Sequence, residues 1–294
     1  VQANAEQLLE LHDAALLPEV LALPEVANGP LLVLGAGSNV LIAEDLPGTV
    51  LVFGNRDISF LEHRADHAVI RAGAGVPWHG LVMWSLQEGL SGLENLALIP
   101  GTAGAAPIQN IGAYGAQVGE FIQAVEAWDC QEQAWVRLDN EQCGFAYRDS
   151  VFKQQPDRYL ITAIELKLPL LHDLRMDYAG IREELQAQGV VLPGAVDVAN
   201  AVIAIRRRKL PAPGGTRQCR QLLQEPGAAA GAGRRAAAAF PRPAGVPGRA
   251  GRQAQGLGGL DDRILRLEGL PRRRCRRGSQ PRAGAGQPRQ CQRR

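Results

Sequence analysis

Gly92-Leu93-Glu94-Asn95-Leu96-Ala97-Leu98-Ile99-Pro100-Gly101-Thr102-Ala103-Gly104-Ala105-Ala106-Pro107-Ile108-Gln109-Asn110-Ile111-Gly112-Ala113-Tyr114-Gly115 is a long run with five glycines and a single charge, Glu94, and it keeps no sustained period. A segment this apolar is costly on a surface. One this irregular leaves backbone donors and acceptors poorly satisfied in a core. Lining a large, flat, partly anionic cofactor resolves both problems, because glycines permit close approach and backbone N–H groups meet a pyrophosphate. A long structural loop is the alternative reading.

Upstream, the apolar run Leu31, Leu32, Val33 and Leu34 stops at Gly35-Ala36-Gly37-Ser38-Asn39. Two glycines let the backbone turn with its N–H groups converging, and Ser38 and Asn39 add side-chain donors, a nest that suits phosphate. This is not the dinucleotide fingerprint, since no third glycine follows at the required spacing. A tight strand–loop turn without a ligand explains it about as well. Downstream lies Phe145-Ala146-Tyr147-Arg148-Asp149-Ser150-Val151-Phe152-Lys153. A guanidinium among apolar side chains can stabilise negative charge developing on an enolate-like intermediate. An Arg148–Asp149 pair of purely structural use is the other reading.

Outside these motifs, the chain up to Pro213 carries an α+β pattern. Residues 3–17 space Leu8, Leu9, Ala15 and Leu16 helically and predict an amphipathic helix. Residues 31–34 predict a buried strand, and residues 69–72 a second one ending at Gly73 and Gly75. Trp78, Leu81, Val82, Ser85 and Leu86 share one helical face, with Pro77 at its start and Gly89 just past its end. Residues 124–128 and 134–138 predict a β-hairpin, and residues 160–168 a half-exposed strand. Residues 198–205 then run into Arg206, Arg207, Arg208 and Lys209.

A chain of 294 residues can hold two domains with real cores. Its net charge of +2 averages two unlike parts: residues 1–213 carry 14 basic and 26 acidic side chains, and residues 214–294 carry 18 Arg, no Lys and four acids. The five cysteines form no C-x-x-C pair and no His-rich metal spacing, so no metal site is expected and reduced thiols in a cytoplasm are. No run of about 18 apolar residues predicts a membrane span. The chain opens on Val1 rather than Met, which reads as a missing start.

Residues 35–41, 92–115, 147–153 and 206–211, in this order and at this approximate spacing, resemble the hallmark stretches of the UDP-N-acetylenolpyruvoylglucosamine reductases (UDP-N-acetylmuramate dehydrogenases). The resemblance covers residues 1–213, and the block at 92–115 is its most specific part. Asp177-Tyr178-Ala179-Gly180 is similar to the Tyr-bearing insertion that one form of the family carries before its basic helix. The resemblance implies an α+β fold, with a two-part FAD-binding domain of the vanillyl-alcohol-oxidase, or PCMH, type over residues 1–171. A substrate-contacting insertion and basic helix follow over residues 172–213, and residues 214–294 stand where the substrate-binding domain belongs. It further implies that NADPH reduces the FAD, whose N5 delivers hydride to the double bond of UDP-N-acetylglucosamine enolpyruvate, giving UDP-N-acetylmuramate for peptidoglycan precursors. By position, Arg148 is the catalytic Arg that polarises the substrate carboxylate. The FAD contacts fall on Gly35, Ala36, Gly37, Ser38, Asn39, Ile99, Pro100, Gly101, Gly104, Ala105, Ala106, Ile111, Gly112, Tyr114 and Gly115, and the substrate contacts on Tyr147, Tyr178, Arg206 and Lys209. A cytoplasmic monomer is expected, without metal, nucleic-acid partner or membrane attachment. Another PCMH-type flavin oxidoreductase is the alternative within enzymes.

The family's proton-donating Ser, in a Gly-Ser-Phe-Phe-Lys-Asn-Pro stretch, and its C-terminal Glu have no counterpart here. From residue 214 onward there is one Phe, one Ile and one Val, with neither Tyr nor Trp, so little remains to offset chain entropy and no folding is expected. A one-nucleotide frame shift explains this. Codons exist for Cys219-Arg220-Gln221-Leu222-Leu223-Gln224-Glu225-Pro226-Gly227 that, read one base later, spell Ala-Gly-Ser-Phe-Phe-Lys-Asn-Pro. The same shift turns residues 259–263 into Gly-Trp-Met-Ile-Glu and residues 282–288 into Ala-Leu-Val-Leu-Val-Asn. The competing account is an Arg-rich arm for nucleic acid, but such an arm would carry aromatic side chains for base stacking.

Overall fold

The computed structural model describes residues 3–178 and 180–209, together with the backbone of residues 265–266. The chain begins with strand β1 (Ala5–Leu11), short helices α1 (Leu17–Leu21) and α2 (Pro24–Ala27), and strands β2 (Leu31–Leu34) and β3 (Leu46–Phe53). These three strands pair in parallel with β3 in the middle. Next come β4 (Ile58–His63), β5 (His67–Gly73) and helix α3 (Trp78–Gln87). After the glycine-rich stretch, which holds the two-residue strands β6 (Gly112–Ala113) and β7 (Ala116–Gln117), follow β8 (Ile122–Asp129), β9 (Ala134–Asp139), α4 (Val151–Gln154) and β10 (Tyr159–Pro169). β4, β5, β10, β8 and β9 form an antiparallel sheet in that order. Helices α5 (Ile181–Ala187) and α6 (Ala195–Lys209) close the fold, and a two-residue strand β11 (Leu265–Arg266) adds in parallel to β1. Residues 210–264 and 267–294 lie outside the described residues, and with them all but two residues of the stretch from 214 onward that composition predicts not to fold.

The two sheets have separate cores, which makes the domain two-part. Leu9, Leu11, Leu17, Val20, Val26, Leu51 and Phe53 fill the parallel part, joined by Ala74 and Leu160 from the antiparallel part. The larger core packs α3, α5 and α6 around the antiparallel sheet. Asn55 stitches the two together: its Nδ2 donates to Thr162 O at 2.9 Å, and its carbonyl accepts from Gly75 N at 3.0 Å. Gly75 has to be glycine, because a Cβ there would stand 2.3 Å from Phe53 O.

Three sequence expectations need correction. Residues 3–17 contain no long helix. Ala5–Leu11 is a strand whose Leu9 and Leu11 are buried, while Leu8 points away and is exposed. Ladder bonds to β3, from Gln7↔Thr49 to Leu11↔Phe53, outweigh the local helical spacing. The strand at 160–168 is not half-exposed. It is the central strand β10, buried along most of its length between β5 and β8. Its polar Glu165 is covered by Arg137 of β9, which donates to both carboxylate oxygens at 2.7 and 2.5 Å. The strand at 31–34 is not buried: β2 lies at the edge of its sheet and is half-buried at all four positions. The strand at 69–72, the helix α3 and the hairpin of β8 and β9 stand where expected, whereas β3, β4 and α5 carried no expectation. The five residues assigned to the inner face of α3 are its buried ones, and Gly89 just beyond it takes φ 76°.

Candidate functional site

The glycine-rich stretch is pinned from all sides. Ala103 N donates to Val76 O at 2.8 Å and Gly104 N to Ala74 O at 3.0 Å. A Cβ on Gly104 would lie 2.6 Å from that of Ala74, so only glycine lets the stretch press onto the turn after β5. Gly92, at φ 108°, lies under the Phe121 ring, where a Cβ would stand 2.4 Å from a ring carbon. Buried Asn95 gives its Nδ2 to Tyr114 O at 2.8 Å and Arg175 O at 2.9 Å. Buried Asn110 accepts from Gly119 N at 2.9 Å and donates to Gln117 Oε1 at 3.0 Å and Ala146 O at 2.8 Å.

These contacts bring the three sequence motifs together. The turn after β2 rests on the stretch: a Cβ on Gly35 would meet Thr102 Oγ1 at 2.8 Å, and Asn39 Nδ2 reaches Gln109 Oε1 at 3.3 Å. Ala36, Gly37, Ser38 and Asn39 are exposed, and their backbone N–H groups have no acceptor among the described residues. From the other side, Arg148 Nη2 donates to Gly112 O at 2.9 Å and Ser150 Oγ to Ile108 O at 2.6 Å. Arg148 and Asp149 do not pair; Asp149 Oδ2 instead accepts from Gln154 Nε2 at 2.8 Å. The guanidinium therefore has no carboxylate partner among the described residues, and the Arg148 carbonyl is held by Lys153 Nζ at 2.7 Å.

Non-glycine residues with left-handed backbone cluster here. Leu98 (φ 57°), Asn110 (45°), Tyr114 (49°) and Arg148 (55°) are four of the six among the described residues. Such strain persists only where the surroundings over-determine it, and it gathers at ligand sites. Between the two parts of the domain opens a cavity of about 940 Å³, whose lining includes Leu32, Gly35, Phe53, Gly104, Ala105 and Tyr159. Exposed backbone donors at one mouth and a glycine-lined apolar cleft fit a group with a diphosphate and a flat ring system, as FAD is.

Residues 5–137 match the family described as FAD binding domain. The UDP-N-acetylenolpyruvoylglucosamine reductase of Xanthomonas euvesicatoria pv. vesicatoria is 68% identical over 213 residues, which cover 72% of this chain and 61% of that protein. Its counterpart from Xanthomonas axonopodis pv. citri is 67% identical over the same shares. Over that aligned part the chain belongs to the UDP-N-acetylenolpyruvoylglucosamine reductase family. It thus spans about three-fifths of the length of the curated relatives it matches. A solved UDP-N-acetylenolpyruvylglucosamine reductase from Thermus caldophilus is 22% identical, with 69% of this chain and 88% of that chain covered and a TM-score of 0.44.

Of the residues that the reductase resemblance assigns to FAD, Gly35, Gly104 and Ala105 line this cleft, and the others stand outside its lining, in the turn after β2 and elsewhere along the glycine-rich stretch. Of those assigned to substrate, two converge. The Tyr114 and Tyr178 rings meet edge to face at 5.2 Å, and the Arg206 guanidinium of α6 approaches the Tyr114 hydroxyl. Burial raises the Tyr114 hydroxyl above its ordinary value, against a smaller pull from Arg206. Burial likewise draws Arg206 down, and its Nε is buried with no partner among the described residues. The other two stand apart: Tyr147 is 79% exposed beneath Arg148, and Lys209 is exposed at the end of α6. Sequence reasoning passed over Asn95, Asn110 and His79. The two asparagines were detectable as amides in an apolar run, whereas His79 lay on a helix with no signal.

Proposed function

We propose that residues 1–171 are the FAD-holding domain, and residues 172–213 the substrate-contacting insertion and basic helix, of an enzyme that reduces UDP-N-acetylglucosamine enolpyruvate to UDP-N-acetylmuramate at the expense of NADPH. The observation that carries this is the convergence of three separate segments, at Gly35, at Thr102 to Ala105 and at Phe152, on one apolar cleft, while the Arg148 guanidinium is held against Gly112 O with no carboxylate partner among the described residues. When bound, FAD supplies the hydride. The chain's own residues supply the rest. The N–H groups of residues 36–39 receive the pyrophosphate. Small residues of the 99–115 segment leave room for the flavin ring. Arg148 faces the substrate carboxylate and stabilises negative charge as it develops on the enolate. Tyr178, Arg206 and Lys209 bind the nucleotide-sugar substrate together with Tyr147, and Arg206, already desolvated, does so most effectively once an anion lies against its free Nε.

The polypeptide as it stands is inactive on this reading, because the proton-donating Ser and the final carboxylate are lost to a one-nucleotide shift near residue 214. The end of similarity supports the shift, since the aligned length of 213 residues equals that of the part preceding the change in composition. The cytoplasm and a monomeric state are the setting proposed. The test pairs two proteins, the present chain and one whose gene is corrected by a single nucleotide upstream of codon 219. The present chain takes up FAD without oxidising NADPH in response to UDP-N-acetylglucosamine enolpyruvate, and the corrected one turns over. Turnover by the present chain at the corrected protein's rate overturns the reading. The nucleotide sequence across codons 212–218 reads the shift directly.

A further inference from the structure

His79, near the start of α3, has no part in the assignments above, yet it faces the flavin stretch. Its Nδ1 lies 3.1 Å from the backbone N of Leu98. A backbone N–H can only donate, so Nδ1 carries no proton and the ring is the neutral Nε2–H tautomer. Burial and, to a smaller degree, the Arg207 charge on α6 both push the imidazole below its ordinary value, which keeps it neutral. Leu98 needs holding: φ 57° is left-handed backbone that leucine disfavours. On either side of it, Trp78 fixes the chain, with Nε1 donating to Leu96 O at 3.0 Å and N donating to Gly101 O at 3.0 Å. Between those two clamps, His79 is the side chain that takes the Leu98 N–H.

We propose that His79 is a positioning residue for the flavin, a neutral acceptor that holds Leu98 in its left-handed conformation and so sets the path of Ile99, Pro100 and Gly101, which carry the chain to Thr102 and Gly104 in the wall of the cleft. The inference rests on the reading that FAD lies there. Variants separate the geometry of the acceptor from bulk and polarity. In His79→Asn, Oδ1 stands close to where Nδ1 stood and can still accept. In His79→Gln the acceptor is carried one methylene too far, and in His79→Leu it is gone.

The measurement is FAD affinity of the full-length chain by quenching of flavin fluorescence, together with the visible spectrum of the bound flavin. His79→Asn binds within about threefold of wild type with an unshifted spectrum. His79→Gln and His79→Leu bind about tenfold more weakly, the equivalent of about 1.4 kcal/mol for one lost partner of a partly buried donor, and their flavin bands move. Should His79→Leu fail to fold, the Asn and Gln variants decide, because both are polar and differ in where the acceptor sits. Equal affinity for Asn and Gln, or for Leu and wild type, overturns the inference while leaving FAD binding intact. A wild-type chain that takes up no FAD overturns both this inference and the reading beneath it.

Discussion

Asn110 offers the sharpest test of how the site is built. Its amide makes three hydrogen bonds that tie the glycine-rich stretch to the Gly119 turn and to the segment bearing Arg148, and its own backbone is left-handed at φ 45°. Asn110→Ala strands the buried Gly119 N–H, a loss of about 1–3 kcal/mol. It also places an alanine in left-handed backbone at about 1 kcal/mol, because asparagine tolerates that region and alanine does not. The total is about 3 kcal/mol, a large share of the roughly 5–15 kcal/mol that holds a domain folded. At about 2–4 °C per kcal/mol for a domain of this size, the melting temperature falls by about 6–12 °C. Asn110→Gly keeps the backbone freedom and loses only the bonds, so it is about 1 kcal/mol less damaging than Asn110→Ala. Urea unfolding and thermal melts of the three proteins measure both differences. A loss for Asn110→Ala smaller than the about 0.5 kcal/mol that a single net hydrogen bond contributes at the least, or Gly worse than Ala, refutes the reasoning.

Further outcomes follow from other parts of the structure. Gly104→Ala drives a Cβ to 2.6 Å from that of Ala74 and is expected to cost about 1–3 kcal/mol in unfolding free energy, whereas Gly37→Ala, with open space around it, loses only about 1 kcal/mol from its left-handed φ. The Asp129 carboxyl, buried against Arg158, is held below its ordinary value of 3.8 chiefly by the Arg158 hydrogen bond. Its stabilisation is therefore fully present above about pH 4 and is lost as pH falls through the lower folded value, so the advantage of wild type over Asp129→Asn in urea shrinks in acid. The buried Cys143 thiol is pushed up to about 12 by desolvation, and peptide mapping after iodoacetamide treatment should find it alkylated only in unfolded protein.

Much of this is legible in the sequence, for reasons that can be named. α3 is readable because its buried face repeats at the helical period between a proline and a glycine, with nothing from outside competing. The glycine-rich stretch stands out in the sequence because no ordinary element explains so long a run with a single charge, and in the structure it is an irregular segment pinned to the turn after β5. β1 imitates a helix because Leu8 and Leu9 mimic a helical face, and only the distant partner β3 decides that Leu9 and Leu11 face inward together. β10 looks half-exposed in sequence because the cover for Glu165 comes from Arg137, on another strand. His79, Asn95 and Asn110 act through single backbone contacts made by the folded chain, a kind of information that spacing alone does not carry.

The central claim is that the nearly uncharged, small-residue stretch is shaped as it is because FAD lies against it. Equilibrium titration of the purified full-length apoprotein with FAD measures this directly. One FAD per chain, with quenched fluorescence and a structured visible band, is the predicted result. A chain whose far-ultraviolet circular dichroism shows it folded, yet which stays colourless at saturating FAD, contradicts the account.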